Sequence, residues 1–241
     1  MARRKKTYRF PWRSGNRFRL LSDGDRFFPA MLDAIDHARR STALEIYLFE
    51  SGVVANRFID ALLAAANRGV QVQVLLDGFG SRKLNGRDQQ RLVRGGVQLA
   101  FYNPIRLRSW YRNLLRDHRK LLIVDDRTAF VGGAGITDMF DPRTAGTRHW
   151  HDTVMEITGP CVADWHDLFA DVWQRWALTP PIEAAADPIA MADNRCGRAT
   201  FTTGWPYTEI KRSYLTRVRS AHERVWLVTA YFVPARKLRR A

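Results

Sequence analysis

The chain has 241 residues, of which 46% are hydrophobic and 26% are charged. This length and composition can supply a buried core for one large domain or two small ones, which excludes a chain that is disordered throughout. The apolar runs at residues 44–49, 70–76 and 226–233 are much shorter than the ~20 residues of a bilayer-spanning helix. No membrane-spanning segment is therefore predicted.

The formal net charge of +15 predicts attraction to polyanions, either nucleic acid or an anionic lipid surface. A basic tail is predicted at residues 1–16, where cations alternate with aromatic rings such as Phe10 and Trp12. That mixture suits a lipid headgroup interface, and a simple solvated tail explains it equally well. Because no secretory signal follows the tail, a cytoplasmic location is expected.

The two cysteines, Cys161 and Cys196, stand far apart in the sequence and have no partner at metal-ligand spacing. They support neither a disulfide framework nor a zinc knuckle, so we expect reduced thiols. His149 and His151 alternate along one predicted strand face and resemble half of a zinc site. Because no cysteine lies near them before Gly159, the sequence predicts no metal and no other cofactor.

Predicted helices and strands alternate along the first part of the chain. In chain order the predicted elements are helix 24–40, strand 43–50, helix 56–68, strand 70–77, helix 88–94, strand 97–102, strands 118–125, 128–132 and 152–158, and helix 162–176. This order predicts an α/β fold, a layered α/β/α domain with a largely parallel mixed sheet. In such sheets, ligands gather outside the carboxyl ends of the strands.

Four regions follow from these patterns. After the basic tail, a first domain is predicted at 17–178 and a Pro- and Ala-rich linker at 179–195. The remaining stretch, 196–241, resembles the first domain starting again, because a basic helix again precedes an apolar strand, at 230–233. A following helix at 235–240 has barely begun where the sequence stops. The chain is therefore expected to be truncated within a second, similar module.

One constellation of residues carries the predicted chemistry. His118 and Lys120 are two positions apart on a predicted strand, so their side chains share one face of the sheet. Asp125 closes that strand, and Gly132-Gly133 ends the next one, where bare backbone can approach a phosphate. A cation-rich loop at 103–116 leads into this segment. A neutral imidazole can attack phosphorus, and an ammonium group can stabilise the phosphoryl oxygens.

The spacing HxK, four residues, Asp, six residues, Gly-Gly resembles the signature of the phospholipase D superfamily, in which it is called the HKD motif. Five fixed positions match by chance in a chain of this size with a probability on the order of 10⁻⁴. The segments at 68–77 and 150–160, and the helix that contains Phe169 and Trp173, resemble bacterial cardiolipin synthases more than the nuclease members. The resemblance covers residues 17–241. It departs at Gly135, where many members carry asparagine.

The resemblance implies a metal-free, two-step exchange at a phosphodiester. His118 attacks the phosphorus to give a phosphohistidine, Lys120 and Gly132-Gly133 bind the phosphate, and Asp125 is a supporting group. The histidine of a second HKD motif, from a missing C-terminal region or a dimer partner, protonates the leaving alcohol. The implied partners are an anionic, phosphatidylglycerol-like phospholipid and the inner face of the cell membrane, on which the protein is peripheral.

Three further side chains are candidates for supporting this site. Glu45 and Tyr47 share one facing on the first predicted strand, and Asp152 follows Trp150 at the position where the family's pattern continues. A structural role explains each of these residues equally well or better, since packed aromatics and turn-capping carboxylates are common.

Three functions remain open at this point. The first is a cardiolipin-synthase-like phosphatidyltransferase, and the second is a phospholipase D-type lipid hydrolase or nuclease with the same chemistry and another acceptor. The third is a non-catalytic fragment that binds polyanions, because half of a site lacks its general acid. Nucleic acid is the less favoured partner. The isolated chain is expected to have little or no transferase activity.

Overall fold

The computed structural model describes residues 9–105, 115–185, 189–204, 207–227 and 229. The chain divides into two compact units, of which the larger is Arg13–Gly197 and the smaller joins residues before Arg13 to those after Gly197. Most of the predicted cation-rich loop 103–116 lies outside the described residues. The predicted strand 230–233 and helix 235–240 lie outside them as well.

The larger unit contains eight strands and five α-helices among the described residues. In chain order these are β1 Arg13–Ser22, α1 Gly24–Asp36, β2 Ser41–Ile46, α2 Val53–Asn67, β3 Gln71–Asp77, α3 Gly86–Arg94, β4 Gln98–Tyr102, β5 Lys120–Val124, β6 Thr128–Gly132, α4 Pro142–Ala145, β7 Thr153–Thr158, α5 Cys161–Trp176 and β8 Arg195–Gly197. The smaller unit contains the antiparallel pair β9 Thr202–Gly204 and β10 Tyr207–Thr208, followed by α6 Glu209–Arg219.

The strands of the larger unit form one sheet in the order β4-β3-β2-β5-β6-β7-β1-β8. The α/β fold with a mixed sheet is confirmed, but the expectation of a largely parallel sheet is wrong. Only β2·β3 and β3·β4 are parallel, and the other five pairings are antiparallel. The parallel part is the one whose strands are joined by helical crossovers, whereas the short turn after β5 can only return the chain antiparallel.

Strand β1 was not predicted, because its first residues were assigned to the basic tail. Its arginines obscured the apolar alternation that would have indicated a strand, and two of them pair with acidic residues of α5 and β7. The Arg13 guanidinium donates to both carboxylate oxygens of Asp164 on α5, at 2.8 and 2.7 Å, and Arg19 pairs with Glu156 on β7. Bidentate pairs of this kind anchor a strand more firmly than a single exposed ion pair.

The main core lies between one face of the sheet and the helices α1 and α2. Its buried members include Phe27, Ile35, Phe58, Leu44 and Leu122. Helix α5 packs against the opposite face, with Leu168, Phe169 and Trp173 buried. Within the described residues, no helix combines the length and the apolar character needed to cross a membrane.

Candidate active site

His118 and Lys120 lie side by side at the start of β5. Lys120 is the first residue of this strand, and His118 lies in the extended segment before it rather than within the strand. The Lys120 Nζ is 3.0 Å from His118 Nδ1 and donates to the His118 carbonyl oxygen at 2.8 Å. The predicted pairing of an imidazole and an ammonium group is therefore present in the structure.

Tyr47 forms one wall of this pair, just after the end of β2. Its ring centroid is 4.3 Å from that of the His118 imidazole, and the Lys120 Nζ lies 5.0 Å from the same ring. The backbone N–H of Tyr47 donates to the carbonyl oxygen of Arg119 at 3.0 Å, which fixes Tyr47 against the segment that carries His118. The aromatic face thus offers the ammonium group a favourable contact.

The glycine pair lets Asp152 approach the site. A Cβ atom at Gly133 would lie 2.6 Å from both carboxylate oxygens of Asp152, and one at Gly132 would lie 2.6 Å from the Thr153 carbonyl oxygen. A larger residue at Gly132 would therefore require the backbone of β7 to shift, and one at Gly133 would displace the Asp152 carboxylate. The structure therefore gives both glycines a packing role toward β7, in addition to any contact with phosphate.

The surroundings lower the pKa of both His118 and Lys120. Burial lowers the pKa of Lys120 to about 8, although the carboxylates of Asp152, Asp117 and Asp77 oppose the shift. Burial, followed by the charge of Lys120, also lowers the pKa of His118. At neutral pH the imidazole is therefore mostly uncharged, while the ammonium group remains mostly charged.

Asp77 and Asp117 shape the segment before His118, and sequence reasoning missed both. Asp77 ends β3 and is 1% exposed. Its carboxylate accepts the backbone N–H groups of Phe79, Gly80 and Asp117, each at 2.9 Å. The available signal was a carboxylate at the end of an apolar strand and just before glycine, which is where α/β sheets place functional groups.

Glu45, which was expected to approach the site together with Tyr47, is buried beside Arg119 and Asp117. It is 1% exposed, and its Oε2 accepts a hydrogen bond from Arg119 Nη1 at 3.3 Å. The same Arg119 atom donates to the Leu168 carbonyl oxygen on α5. Burial is the main cause that raises the pKa of the Glu45 carboxyl well above its usual value. The Glu45 and Arg119 pair therefore belongs to the α5 side of the sheet.

The structure does not bring Asp125 together with His118 and Lys120. It lies just beyond the end of β5 that is opposite Lys120, roughly 16 Å away at the usual rise per strand residue. Its carboxylate accepts backbone N–H groups of Arg39, Arg40 and Ser41, at 2.9, 2.8 and 2.9 Å. Asp125 thereby anchors the turn after β5 to the start of β2.

Gly135 has a steric explanation in this chain. A Cβ atom there would lie 2.8 Å from both the Cβ atom and the carbonyl oxygen of Leu48. The asparagine of related sequences would therefore require the backbone beside Leu48 to move.

The fold and the sequence were compared with known proteins. Nuc from Salmonella typhimurium, a phospholipase D family member, superposes with a TM-score of 0.52 at 18% identity, covering 76% of this chain and 99% of that structure. NucT from Helicobacter pylori gives the same TM-score at 15% identity, with coverage of 67% and 98%. These likenesses show a phospholipase D fold.

Comparison of the sequence with known proteins assigns the chain to a family. Residues 31–173 match the family described as "Cardiolipin synthase, PLD-like domain", and the chain belongs to this family. It is 35% identical over 237 residues to cardiolipin synthase B of Salmonella typhimurium, covering 94% of this chain and 56% of that protein. It is 32% identical to cardiolipin synthase A of Pseudomonas aeruginosa, covering 94% and 46%. The chain thus spans about half the length of these relatives.

Proposed function

We propose that the chain carries one half-site of a phosphatidyltransferase of the cardiolipin-synthase type, with His118 as nucleophile. The observation that carries the proposal is the contact between His118 and Lys120 beneath the Tyr47 ring. The similarity to cardiolipin synthases over 94% of the chain supports the choice of reaction.

The reaction proceeds in two steps. His118 attacks the phosphorus of phosphatidylglycerol through Nε2, as the tautomer that carries its proton on Nδ1, and the bond from phosphorus to the glycerol oxygen breaks. Because a protonated Nδ1 cannot accept from the Lys120 ammonium group, Lys120 turns from Nδ1 to the phosphoryl oxygens when the substrate binds. Glycerol leaves with a proton from a general acid. The hydroxyl of a second phosphatidylglycerol then attacks the phosphohistidine, its proton returns to that acid, and cardiolipin and free His118 are formed.

Lys120 and Asp152 support these steps. The Lys120 ammonium group stabilises the phosphoryl oxygens as charge accumulates on them. Asp152 lies against Gly133 and keeps part of the ammonium charge in place, because its carboxylate opposes the lowering of the Lys120 pKa. The general acid is assigned to the histidine of a second HKD motif, supplied by further chain or by a partner copy, as the family resemblance implies.

The protein is proposed to act as a peripheral enzyme at the inner face of the cell membrane. The net charge of +15 favours an anionic lipid surface. Lipid substrates reach such a surface by lateral diffusion, so a half-site that faces the headgroups requires no spanning helix.

The test uses the protein in the longest form that its gene encodes, with phosphatidylglycerol labelled on the phosphate. Cardiolipin plus glycerol supports the proposal. Phosphatidic acid would indicate a lipid hydrolase, and cleavage of a labelled oligonucleotide by the same sample would indicate a nuclease. His118→Ala should abolish the reaction, whereas His37→Ala, a change at an exposed histidine at the end of α1, should leave it intact. Unchanged turnover in His118→Ala would remove this histidine from the mechanism.

A further inference from the structure

Asp23, His149 and His151 form a second cluster of ligand-type side chains. One atom from each residue lies within 4.8 Å of the corresponding atom in the other two. Asp23 precedes α1, whereas His149 and His151 lie two residues apart in the segment between the one-turn 3-10 helix Gly146–Arg148 and β7. The fold therefore brings Asp23 to a pair of histidines that are neighbours in the sequence.

The distances in this cluster fit a bound ion. His151 Nδ1 is 3.0 Å from both Asp23 carboxylate oxygens, and the His149 and His151 ring centroids are 4.3 Å apart. Two ligand atoms at about 2.1 Å from a tetrahedral zinc ion are separated by about 3.4 Å. A zinc ion between His151 and Asp23 therefore requires their ligand atoms to move apart by only about 0.4 Å.

The surroundings of the cluster also resemble those of metal ligands. His149 Nδ1 lies 2.9 Å from the Gly146 carbonyl oxygen, and such a hydrogen bond leaves Nε2 to face a metal, as is common for ligating histidines. Asp23 is held in the left-handed region, with φ of 62°, by backbone hydrogen bonds. Its N–H donates to the Asp152 carbonyl oxygen at 2.9 Å, and its Oδ1 accepts the Asp152 N–H at 3.3 Å. The carboxylate is thus oriented before any ion binds.

We propose that Asp23, His149 and His151 bind one divalent transition-metal ion, with zinc as the best-fitting probe. Two imidazoles and one carboxylate are a common ligand set for such ions, and water completes the coordination of a three-residue site. The ion is not part of the phosphoryl transfer. It links the start of α1 to the backbone of Asp152, next to the half-site, and so stabilises that part of the larger unit. The sequence showed only the histidine pair, because Asp23 is more than 120 residues before it.

Zinc binding to the purified, tag-free chain tests the proposal by isothermal titration calorimetry and by the melting temperature with and without zinc. The wild type should bind about one zinc ion per chain and should melt at a higher temperature with zinc. His149→Gln and Asp23→Asn should each weaken binding roughly 10-fold or more. His149→Gln is the more informative variant, because Asp23 also contacts the backbone of Asp152.

Two matched controls separate this site from unspecific binding. His37→Gln changes an exposed histidine that also pairs with an aspartate, Asp33 at 3.3 Å, and Cys196→Ser removes an exposed thiol. Both variants should bind zinc as the wild type does. The proposal is overturned if the wild type binds no zinc, if folded His149→Gln binds it equally well, or if either control loses it.

Discussion

Burial of the Lys120 ammonium group lowers the stability of the fold and prepares this group for its proposed role in binding phosphate. A lysine with a lowered pKa is destabilising in its charged form, because the folded protein solvates the ammonium group less well than water does. The shift to about 8 corresponds to a cost on the order of 1–2 kcal/mol after allowance for solvent screening. In return, the site presents a charged group that is only partly hydrated and is therefore ready to bind phosphate oxygens.

The substitution Lys120→Met should therefore stabilise the fold at neutral pH and abolish transfer. The sign follows from proton binding: between about pH 8 and the usual lysine pKa, the unfolded chain binds more protons than the folded one, so wild-type stability rises with pH. This contribution is absent from Lys120→Met. Urea unfolding across this pH range measures it. A parallel pH dependence in the two proteins would contradict the assignment.

The same shift predicts the pH dependence of activity. Transfer requires a neutral His118 and a charged Lys120, so kcat/KM should fall as pH rises through about 8. Below neutrality it should decline only once His118 becomes protonated, which its lowered pKa displaces toward acid. Activity and stability thus change in opposite directions on the alkaline side. A kcat/KM that stays constant to pH 10 would show that the Lys120 charge is not needed.

Gly133 is a residue where a single methyl group should matter. Gly133→Ala places a Cβ atom against the Asp152 carboxylate, so the carboxylate must move and transfer should fall roughly 10-fold or more. Gly86→Ala is the matched control, because Gly86 has open space around it at the start of α3. The transferase assay compares the two variants. Equal activity in both would show that the position of Asp152 is unimportant.

At the scale of the element, the turn after β5 depends on Asp125. This carboxylate holds three backbone N–H groups of the segment that leads into β2. Removing it leaves those donors without their charged acceptor, and bonds to charged groups contribute about 1.5–3 kcal/mol each. The Asp125 carboxylate therefore links the turn after β5 to the start of β2, at the end of β5 opposite Lys120.

Asp125→Ala should lower the free energy of unfolding by about 2–4 kcal/mol, because several linked hydrogen bonds are lost together. Asp36→Ala, at an exposed carboxylate in the last turn of α1, should change it by less than about 0.5 kcal/mol. Chemical denaturation measures both values. If the stability of Asp125→Ala remained at the wild-type level and its activity alone was lost, the residue would return to the catalytic set.

The elements differ in how well the sequence predicted them. Strand β6 agrees with prediction, and α5 begins one residue earlier than predicted, because apolar periodicity and the Gly159-Pro160 boundary dominate locally. Strand β1 was missed because its arginines find partners only across the fold, as Arg13 does on α5. For Asp125, the motif predicted a catalytic role, whereas the structure places its carboxylate against backbone N–H groups of residues 39–41. A motif shows which residues accompany one another in the sequence, and only the fold shows which of them lie close together.

For the whole molecule, the charge of +15 predicts binding to anionic membranes that salt weakens. The chain should cosediment with phosphatidylglycerol vesicles at low salt and not with neutral phosphatidylcholine vesicles. Binding should be lost near 1 M salt, where the screening length falls to about 3 Å. Retention at high salt would instead indicate that apolar groups insert into the bilayer.

The position of β1 between β7 and β8 also has a consequence for how the protein is made. The ribosome releases Arg13–Ser22 early, but its two neighbours in the sheet are Thr153–Thr158 and Arg195–Gly197. For most of translation, an amphipathic segment must therefore wait without its partners, which is the situation in which strands aggregate or recruit chaperones. The arginines of β1, which obscured its strand pattern in the sequence, favour the solubility of this segment until β7 and β8 pair with it.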